Sequence, residues 1–404
     1  VRRYSCSDID NGISDTLDVT IYVTDLWNNQ SFCNTKLYLQ DNIGNTCLNR
    51  FGNGGMISGL VSTSNHAVLQ NAHLDLLQEG KVVGTIRSER SGSYSFVDLP
   101  EGERYSVRPR KDDDINNGIT TADIVLIQRH ILGVETFQSP YQFIAADVNN
   151  SRSITASDIS DIRKLILGIS DRFKDGVPSW SFLTKDLKFD HIDNPWANLP
   201  WVDQYEIDQL SGEMRDVDFM AIKTGDVNLS AKTTELDGGV QGRASAALNF
   251  ELDEFVEAEE GLVRIPVYGN WNGSLSGFQC SFGFEAALGE FVGVQSGVLD
   301  FDERNICIDP KSTGRLNVSW NSLGSVTPTD KVLFYLVFRT AHPISIAEFI
   351  MMRHDGISAE AYLEDMSLLS IQLKERSSKA EIQRAALFQN EPNPFRNNSA
   401  IKFQ

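Results

Sequence analysis

The sequence predicts a mainly β, multi-domain chain with a small α-helical, calcium-binding module set into it. Three observations point there. Stretches that alternate apolar and polar residues, separated by Gly and Pro, cover most of the chain. Two matched loop–helix units, thirty-five positions apart, interrupt that alternation between residues 112 and 168. A length of 404 residues exceeds what a single core holds. A hydrophobic content of 41% is that of folded protein. A net charge of −19 argues against nucleic acid and suits an extracellular, calcium-rich setting, where some carboxylates are metal ligands. No run of eighteen apolar residues exists, so no membrane span is expected. There is no signal peptide, and the abrupt Val1-Arg2-Arg3-Tyr4 start reads as a fragment or a processed product.

The first element lies at 1–48. Thr16, Asp18, Thr20 and Tyr22 alternate with Leu17, Val19, Ile21 and Val23, the pattern of a strand with one buried face, and Leu37-Tyr38-Leu39 follows. With Cys6 and Cys33, this stretch resembles the end of a hyalin-repeat-type immunoglobulin-like domain. The five cysteines form no C-x-x-C pair, which argues against zinc. Their odd number leaves one unpaired or paired outside the chain. Cys6–Cys33 is the expected disulfide; Cys280 and Cys307 are either a second bridge or buried free thiols.

Phe51-Gly52-Asn53-Gly54-Gly55 is a linker into a β-sandwich at 52–110. Its strands carry Ile57-x-Gly59-x-Val61, Ala72-x-Leu74-x-Leu76, Gly92-x-Tyr94-x-Phe96, Leu99-Pro100-x-Gly102 and Tyr105-x-Val107. That order resembles carboxypeptidase-regulatory-like or B-type repeats, a resemblance that implies a spacer rather than a catalyst. An immunoglobulin-like module directly before the helical module is also similar to X-module pairings.

The helical module spans 111–170. Its two loops read Asp112-x-Asp114-x-Asn116-x-Gly118-x-Thr120-x-x-Asp123 and Asp147-x-Asn149-x-Ser151-x-Ser153-x-Thr155-x-x-Asp158. Oxygen side chains at positions 1, 3, 5, 9 and 12 give the spacing of an EF-hand calcium loop; a hard divalent cation takes six to eight oxygens. Ile124, Ile127, Ile131 and Ile159, Ile162, Ile166 mark the apolar faces of two following helices, each closed by a glycine, Gly133 and Gly168. Two Ca2+ sites follow. The second should be weaker: it brings two carboxylates against three, and places Arg152 at position 6, where a left-handed backbone favours glycine.

Loop–helix pairs with Asp at position 12 and no helix before the loop resemble dockerin type I modules. That resemblance implies calcium-dependent folding and a cohesin partner, in cis or in trans. It places the partner-facing positions at Thr121, Ala122, Gln128 and Arg129, and at Ala156, Ser157, Arg163 and Lys164. A solvated basic helix face is the competing reading of the basic residues among them.

Residues 171–238 hold Trp180, Trp196 and Trp201 among several prolines, and are expected to be short strands packed on the helical module. The tryptophans are a candidate sugar platform, although a core role is the commoner fate of so large a ring. Gly225-Asp226-x-Asn228-x-Ser230 repeats the opening of the second loop, with Asp237 at position 12. No helix pattern follows and Gly238-Gly239 breaks it, so Asp226 and Asn228 read as accessory ligands rather than as a third loop.

A larger sandwich is expected at 245–374, with strands at Leu262–Val267, Leu275–Phe284, Leu316–Trp320 and Val332–Phe338, one of them fully buried. Their order is similar to the cohesin and carbohydrate-binding-module sandwich. One chain would then carry both halves of a clasp, closing on itself or linking neighbours head to tail into filaments. A charged linker (375–386) leads to Gln389-Asn390-x-Pro392-Asn393-Pro394-Phe395 and Ile401-x-Phe403. This segment, 387–404, resembles the start of a type IX secretion sorting domain, which implies an extracellular or outer-membrane location.

Catalysis finds no motif. The six histidines are scattered, and no G-x-S-x-G, H-E-x-x-H or phosphate loop occurs. The expectation is a non-catalytic, secreted structural or adhesion protein. The alternative is the non-catalytic region of a secreted polysaccharide-degrading enzyme.

Overall fold

The computed structural model describes residues 14–24, 30–40, 54–174, 176–235, 246–253, 255–256, 261–341 and 344–376. Cys6 and the 387–404 tail lie outside them. β1 (Ser14–Thr24) and β2 (Gln30–Gln40) form an antiparallel two-stranded sheet. The chain divides into two compact units.

The first unit takes residues 1–110, 182–187 and 202–220. Its strands are β3 (Gly54–Ser62), β4 (His73–Gln78), β5 (Lys81–Arg87), β6 (Ser93–Pro100) and β7 (Tyr105–Arg110). Strands from the 180–223 segment complete its sheets, so part of the extension expected at 171–238 belongs to this unit. After β8 (Trp180–Thr184), β9 (Tyr205–Ile207) pairs antiparallel with β7. Both β10 (Glu213–Met214) and the start of β11 (Phe219–Lys223) pair parallel with β3. The period-two pattern of 54–110 left these sheet edges open, and the chain returns a hundred residues later to close them. Ile57, Val61, Leu74, Leu76, Tyr94, Val107 and Phe219 are the buried core between the layers.

The second unit takes residues 111–181, 188–201 and 221–404. Its helices are α1 (Thr121–Ile131), α2 (Pro140–Ala146) and α3 (Ala156–Ile166). α1 and α3 start on the same device: Thr120 and Thr155 cap the helices, and Asp123 and Asp158 return a carboxylate to the cap N–H. Both end at a left-handed glycine, Gly133 at φ +69° and Gly168 at φ +77°. Ile124, Ile127, Ile162 and Ile166 are buried as the spacing required, whereas Ile131 is exposed. The short α2, capped by Ser139 with Pro140 at its first position, precedes the second loop. The sequence reading placed no helix there, since seven residues give too little periodicity.

The rest of the unit is a β-sandwich. Its strands are β12 (Ala247–Leu252), β13 (Phe255–Val256), β14 (Leu262–Asn270), β15 (Leu275–Phe284), β16 (Gly289–Ser296), β17 (Ile306–Ile308), β18 (Arg315–Val326) and β19 (Phe334–Thr340). They continue through β20 (Ile344–Ser345), the single-turn α4 (Ile346–Phe349), β21 (Ile350–Arg353), β22 (Glu360–Leu363) and β23 (Leu368–Glu375). The main path runs β16-β19-β14-β12-β23-β22-β15-β18-β17, with β21 on β15. Phe250, Phe278, Phe301 and Phe334 pack as offset and edge-on rings in its core, 4.4–6.4 Å between centroids.

Cys33, Cys280 and Cys307 are free thiols, so Cys280 and Cys307 take the second of their two readings, while the Cys6 half of the expected Cys6–Cys33 bridge lies outside the described residues. Cys280 pairs with Val318 across β15–β18, while Cys307 faces Asn317 from the far side of β18. Two strand spacings, about 9.6 Å, exceed the reach of a disulfide.

Candidate metal centre and docking face

The two predicted loops fold differently. In the second, Asp147 is buried and its carboxylate accepts the N–H groups of Ser151 and Arg152, each at 2.8 Å. Ser151 Oγ donates to the Ser153 carbonyl at 3.1 Å. Thr155 and Asp158 close the loop through the capping box. Asp158 is fully buried, and its Oδ1 has no hydrogen-bond partner; the buried Asn149 Oδ1 has none either. Orphaned buried acceptors cost free energy unless something meets them. A calcium ion fits the chemistry, because every donor offered is an oxygen. Burial holds the Asp158 carboxyl above its usual range, and the nearby Asp147 carboxylate adds to it; a divalent cation is the charge that reverses both effects. Arg152 takes φ +64°, the left-handed conformation its position called for.

In the first loop Asp112, Asp114 and Asn116 are exposed. Asp112 Oδ1 accepts the backbone N–H of Ser179, outside the loop. Left-handed residues fall at Asp114 and Gly118, loop positions 3 and 7, against Asn150 and Arg152, positions 4 and 6, in the second loop. The two backbones therefore follow different paths. Asp123, by contrast, is fully buried and accepts Val227 N–H at 2.9 Å. Burial, and then the Asp226 carboxylate, hold Asp123 well above the usual carboxylate range. Burial also lowers the neighbouring Lys223 ammonium to about 8. Among the described residues no group of three or more His, Cys, Asp or Glu side chains converges; neutral oxygens must supply the rest of any shell.

Several of the expected partner-facing residues contact the sandwich strands of the same chain. Thr121 sits under β15 and β18: its N–H and Oγ approach Gln279 Oε1 at 2.7 and 3.1 Å, and its Oγ pairs with Ser319 Oγ at 2.8 Å. Arg129 donates to Ser276 Oγ at 3.2 Å and to the Glu364 carbonyl at 2.7 Å. Gln128 and Arg163, equivalent positions of the two repeats, both bond Asn321. Asn317 Nδ2 donates to the Leu167 carbonyl at 3.1 Å. Ala122 is buried. Ala156 and Ser157 are exposed, and Lys164 instead pairs with Asp161 at 2.8 Å. The contact is thus asymmetric between repeats.

β15 explains how the sheet can receive a helix. Phe278, Cys280 and Phe282 face the sandwich core, so Gly277, Gln279 and Ser281 face the other way. That outer row is nonetheless buried, as are Asn317 and Ser319 beside it. A Cβ on Gly277 would lie 3.1 Å from Val125 and 3.2 Å from Thr121, so glycine lets α1 approach the sheet. Sequence reasoning missed Ser276, Gln279, Asn317, Ser319 and Asn321. The signal was present as small and polar residues alternating with core aromatics on neighbouring strands.

Trp180 is buried, Trp196 meets Phe143 edge-on at 6.3 Å, and Trp201 donates to the Pro195 carbonyl at 3.0 Å. His130 stacks on Phe137 at 4.3 Å and so serves packing within the module. No helix among the described residues is long and apolar enough to cross a membrane.

No family model matches the chain, and no curated protein does. Among solved structures it is similar to a type I cohesin–dockerin complex from Clostridium thermocellum. Identity there is 13% over 32% of this chain and 94% of that one, with a TM-score of 0.26. It is also similar to the sixth cohesin of scaffoldin B from Acetivibrio cellulolyticus, in complex with a dockerin. The values are 20% identity, 31% and 94% coverage, and a TM-score of 0.25. A non-cellulosomal cohesin from Archaeoglobus fulgidus matches at 16% identity, 33% and 94% coverage, and a TM-score of 0.24.

Proposed function

We propose that this chain is a non-catalytic, calcium-stabilised assembly protein of the cell surface, in which a dockerin-like module (111–170) is held by a cohesin-like sandwich (245–374) of the same chain. One observation carries the reading: of the residues that the dockerin resemblance marks as partner-facing, Thr121, Gln128 and Arg129 on α1 and Arg163 on α3 are bonded to β15 and β18. The loops lie at the starts of the helices that carry this face, so calcium would set the helices for docking. The orphaned acceptors of the 147–158 loop support calcium there, and two ions are expected in all. The 387–404 tail pattern supports export. Because the clasp is satisfied in cis, assembly with other molecules would use other surfaces or an exchange of partners between chains.

The test is a full-length chain with a protease site inserted between residues 235 and 246. After cutting, the two pieces are expected to co-elute as one species in calcium, and a Thr121→Arg change should release them. Free separation of the unmutated pieces would defeat the cis clasp.

A further inference from the structure

The 147–158 loop has a structural twin, and it is not the 112–123 loop. Asp226 accepts the N–H groups of Ser230 and Ala231 at 3.0 and 2.8 Å, as Asp147 accepts those of Ser151 and Arg152 at 2.8 Å each. Ser230 Oγ lies 3.4 Å from Asp226 Oδ1, and Ser151 Oγ lies 3.4 Å from Asp147 Oδ1. Ser151 Oγ donates to the carbonyl of position 7, Ser153; Ser230 Oγ donates to the Gly118 carbonyl at 2.9 Å, and Gly118 is position 7 of the first loop. Position 4 is left-handed in both, Asn150 at φ +54° and Leu229 at φ +61°. The sequences agree too: Asp147-Val148-Asn149-x-Ser151 recurs as Asp226-Val227-Asn228-x-Ser230. Position 12 is Asp158 in one and Asp123 in the other, both fully buried in the same capping box.

Residues 226–231 therefore stand as positions 1–6 and residues 118–123 as positions 7–12 of one loop whose chain is interrupted. The break is stitched by two hydrogen bonds, Asn117 Nδ2 to the Lys232 carbonyl at 2.7 Å and Lys232 N–H to Asn117 Oδ1 at 2.9 Å. A Cβ on Gly118 would lie 2.6 Å from the Ala231 backbone, so only glycine lets the two ends meet. In the continuous twin the fully buried Asp158 Oδ1 has no partner, the mark of a ligand that belongs there; in the split loop Asp123 Oδ1 accepts the Val227 and Asn228 N–H groups at 2.9 and 3.4 Å, which ties the two segments at the same point.

We propose that the first calcium ion is held by a split shell, with Asp226, Asn228 and Ser230 from one segment and the Gly118 carbonyl, Thr120 and Asp123 from the other, in place of Asp112, Asp114 and Asn116. The proposal rests on the calcium reading above and names the residues of its first site. An ion there clamps two segments a hundred residues apart, which a contiguous loop cannot do.

Calorimetric titration of the full chain with Ca2+, after chelator treatment, tests it. The unmutated chain is expected to take two ions. Asp226→Asn should weaken one of them by at least about tenfold, since carboxylate count sets affinity. Asn228→Asp, at an exposed position, should tighten that same site. Asp158→Asn should abolish the other, and Asp112→Asn should leave both unchanged. An ion lost in Asp112→Asn but kept in Asp226→Asn overturns the split shell and restores the contiguous loop. A single ion, lost in Asp158→Asn and indifferent to Asp226→Asn, overturns it while the calcium reading stands. No ion in the unmutated chain overturns both. Hydrogen exchange gives a readout that does not depend on variants folding: calcium should slow the amides of 118–123 and 226–231 together. Slowing at 112–123 with 226–231 unchanged is contrary to the proposal.

Discussion

Thr121 shows how one hydroxyl can hold an interface. Its Oγ lies between Gln279 Oε1 and Ser319 Oγ, and all three residues are buried. Gln279 Oε1 is an acceptor, so Thr121 donates to it and Ser319 donates to Thr121. Thr121→Val keeps the shape and removes the link, leaving Ser319 without its acceptor. The cost is about 1–3 kcal/mol, or roughly 5- to 150-fold in the affinity of the two pieces of the cut chain. Ala156→Thr, at the exposed equivalent position of the second repeat, should change that affinity by less than about twofold. Equal effects at both positions would contradict the asymmetric contact. The sequence marked Thr121 only through the dockerin resemblance; its acceptors were invisible because a polar residue inside a strand reads as solvent-facing until something covers it.

At the scale of elements, local signals were legible and non-local ones were not. α1 and α3 were readable from their isoleucine spacing and terminal glycines, all within a few turns. The strands β9, β10 and β11 pair with β3 and β7 across 98 to 158 positions, and no periodicity reports a partner that distant. The split shell proposed for the first metal site escapes the sequence for the same reason: twelve consecutive residues, 112–123, satisfy the spacing, and the segment that repeats the geometry of the second loop lies at 226–231. The sheet of β4, β5 and β7 also carries a testable consequence. Asp75 is buried and takes hydrogen bonds from Thr85 at 2.7 Å and Arg110 at 2.8 Å. Burial alone would raise its pKa, but the Arg110 and Thr85 hydrogen bonds and the charges of Arg110 and Arg108 outweigh it, and the carboxyl is lowered. A lowered folded-state pKa means that stabilisation is present above the unfolded value of about 3.9 and is lost as pH falls through the folded value. Asp75→Asn should cost about 2 kcal/mol at neutral pH and flatten the acid limb of the melting profile below about pH 4. A variant with an unchanged acid limb would show that the pair does not contribute.

At the scale of the whole molecule, the proposed metal site and the proposed clasp meet in one helix. Asp123 and Thr120 belong to the loop that ends in α1, and Thr121, Gln128 and Arg129 on the same eleven-residue helix hold the sandwich. Position 12 of a calcium loop is what fixes the first turn of its helix, and Thr121 is in that turn. Chelation should therefore loosen the Thr121–Gln279 contact first and lower the affinity between the two pieces of the cut chain. Linkage makes the effect reciprocal: the factor by which calcium tightens the pieces is the factor by which the 246–404 piece tightens calcium on the other. Both arms can be measured, the first by association of the pieces in calcium and in chelator, the second by calcium titration of the 1–235 piece with and without its partner. A shared factor of about 5–150 is the usual size of such coupling. Association that is indifferent to chelator would mean that α1 is set by its capping box and core packing alone, and calcium would then be a stabiliser of the loops and no control on the clasp.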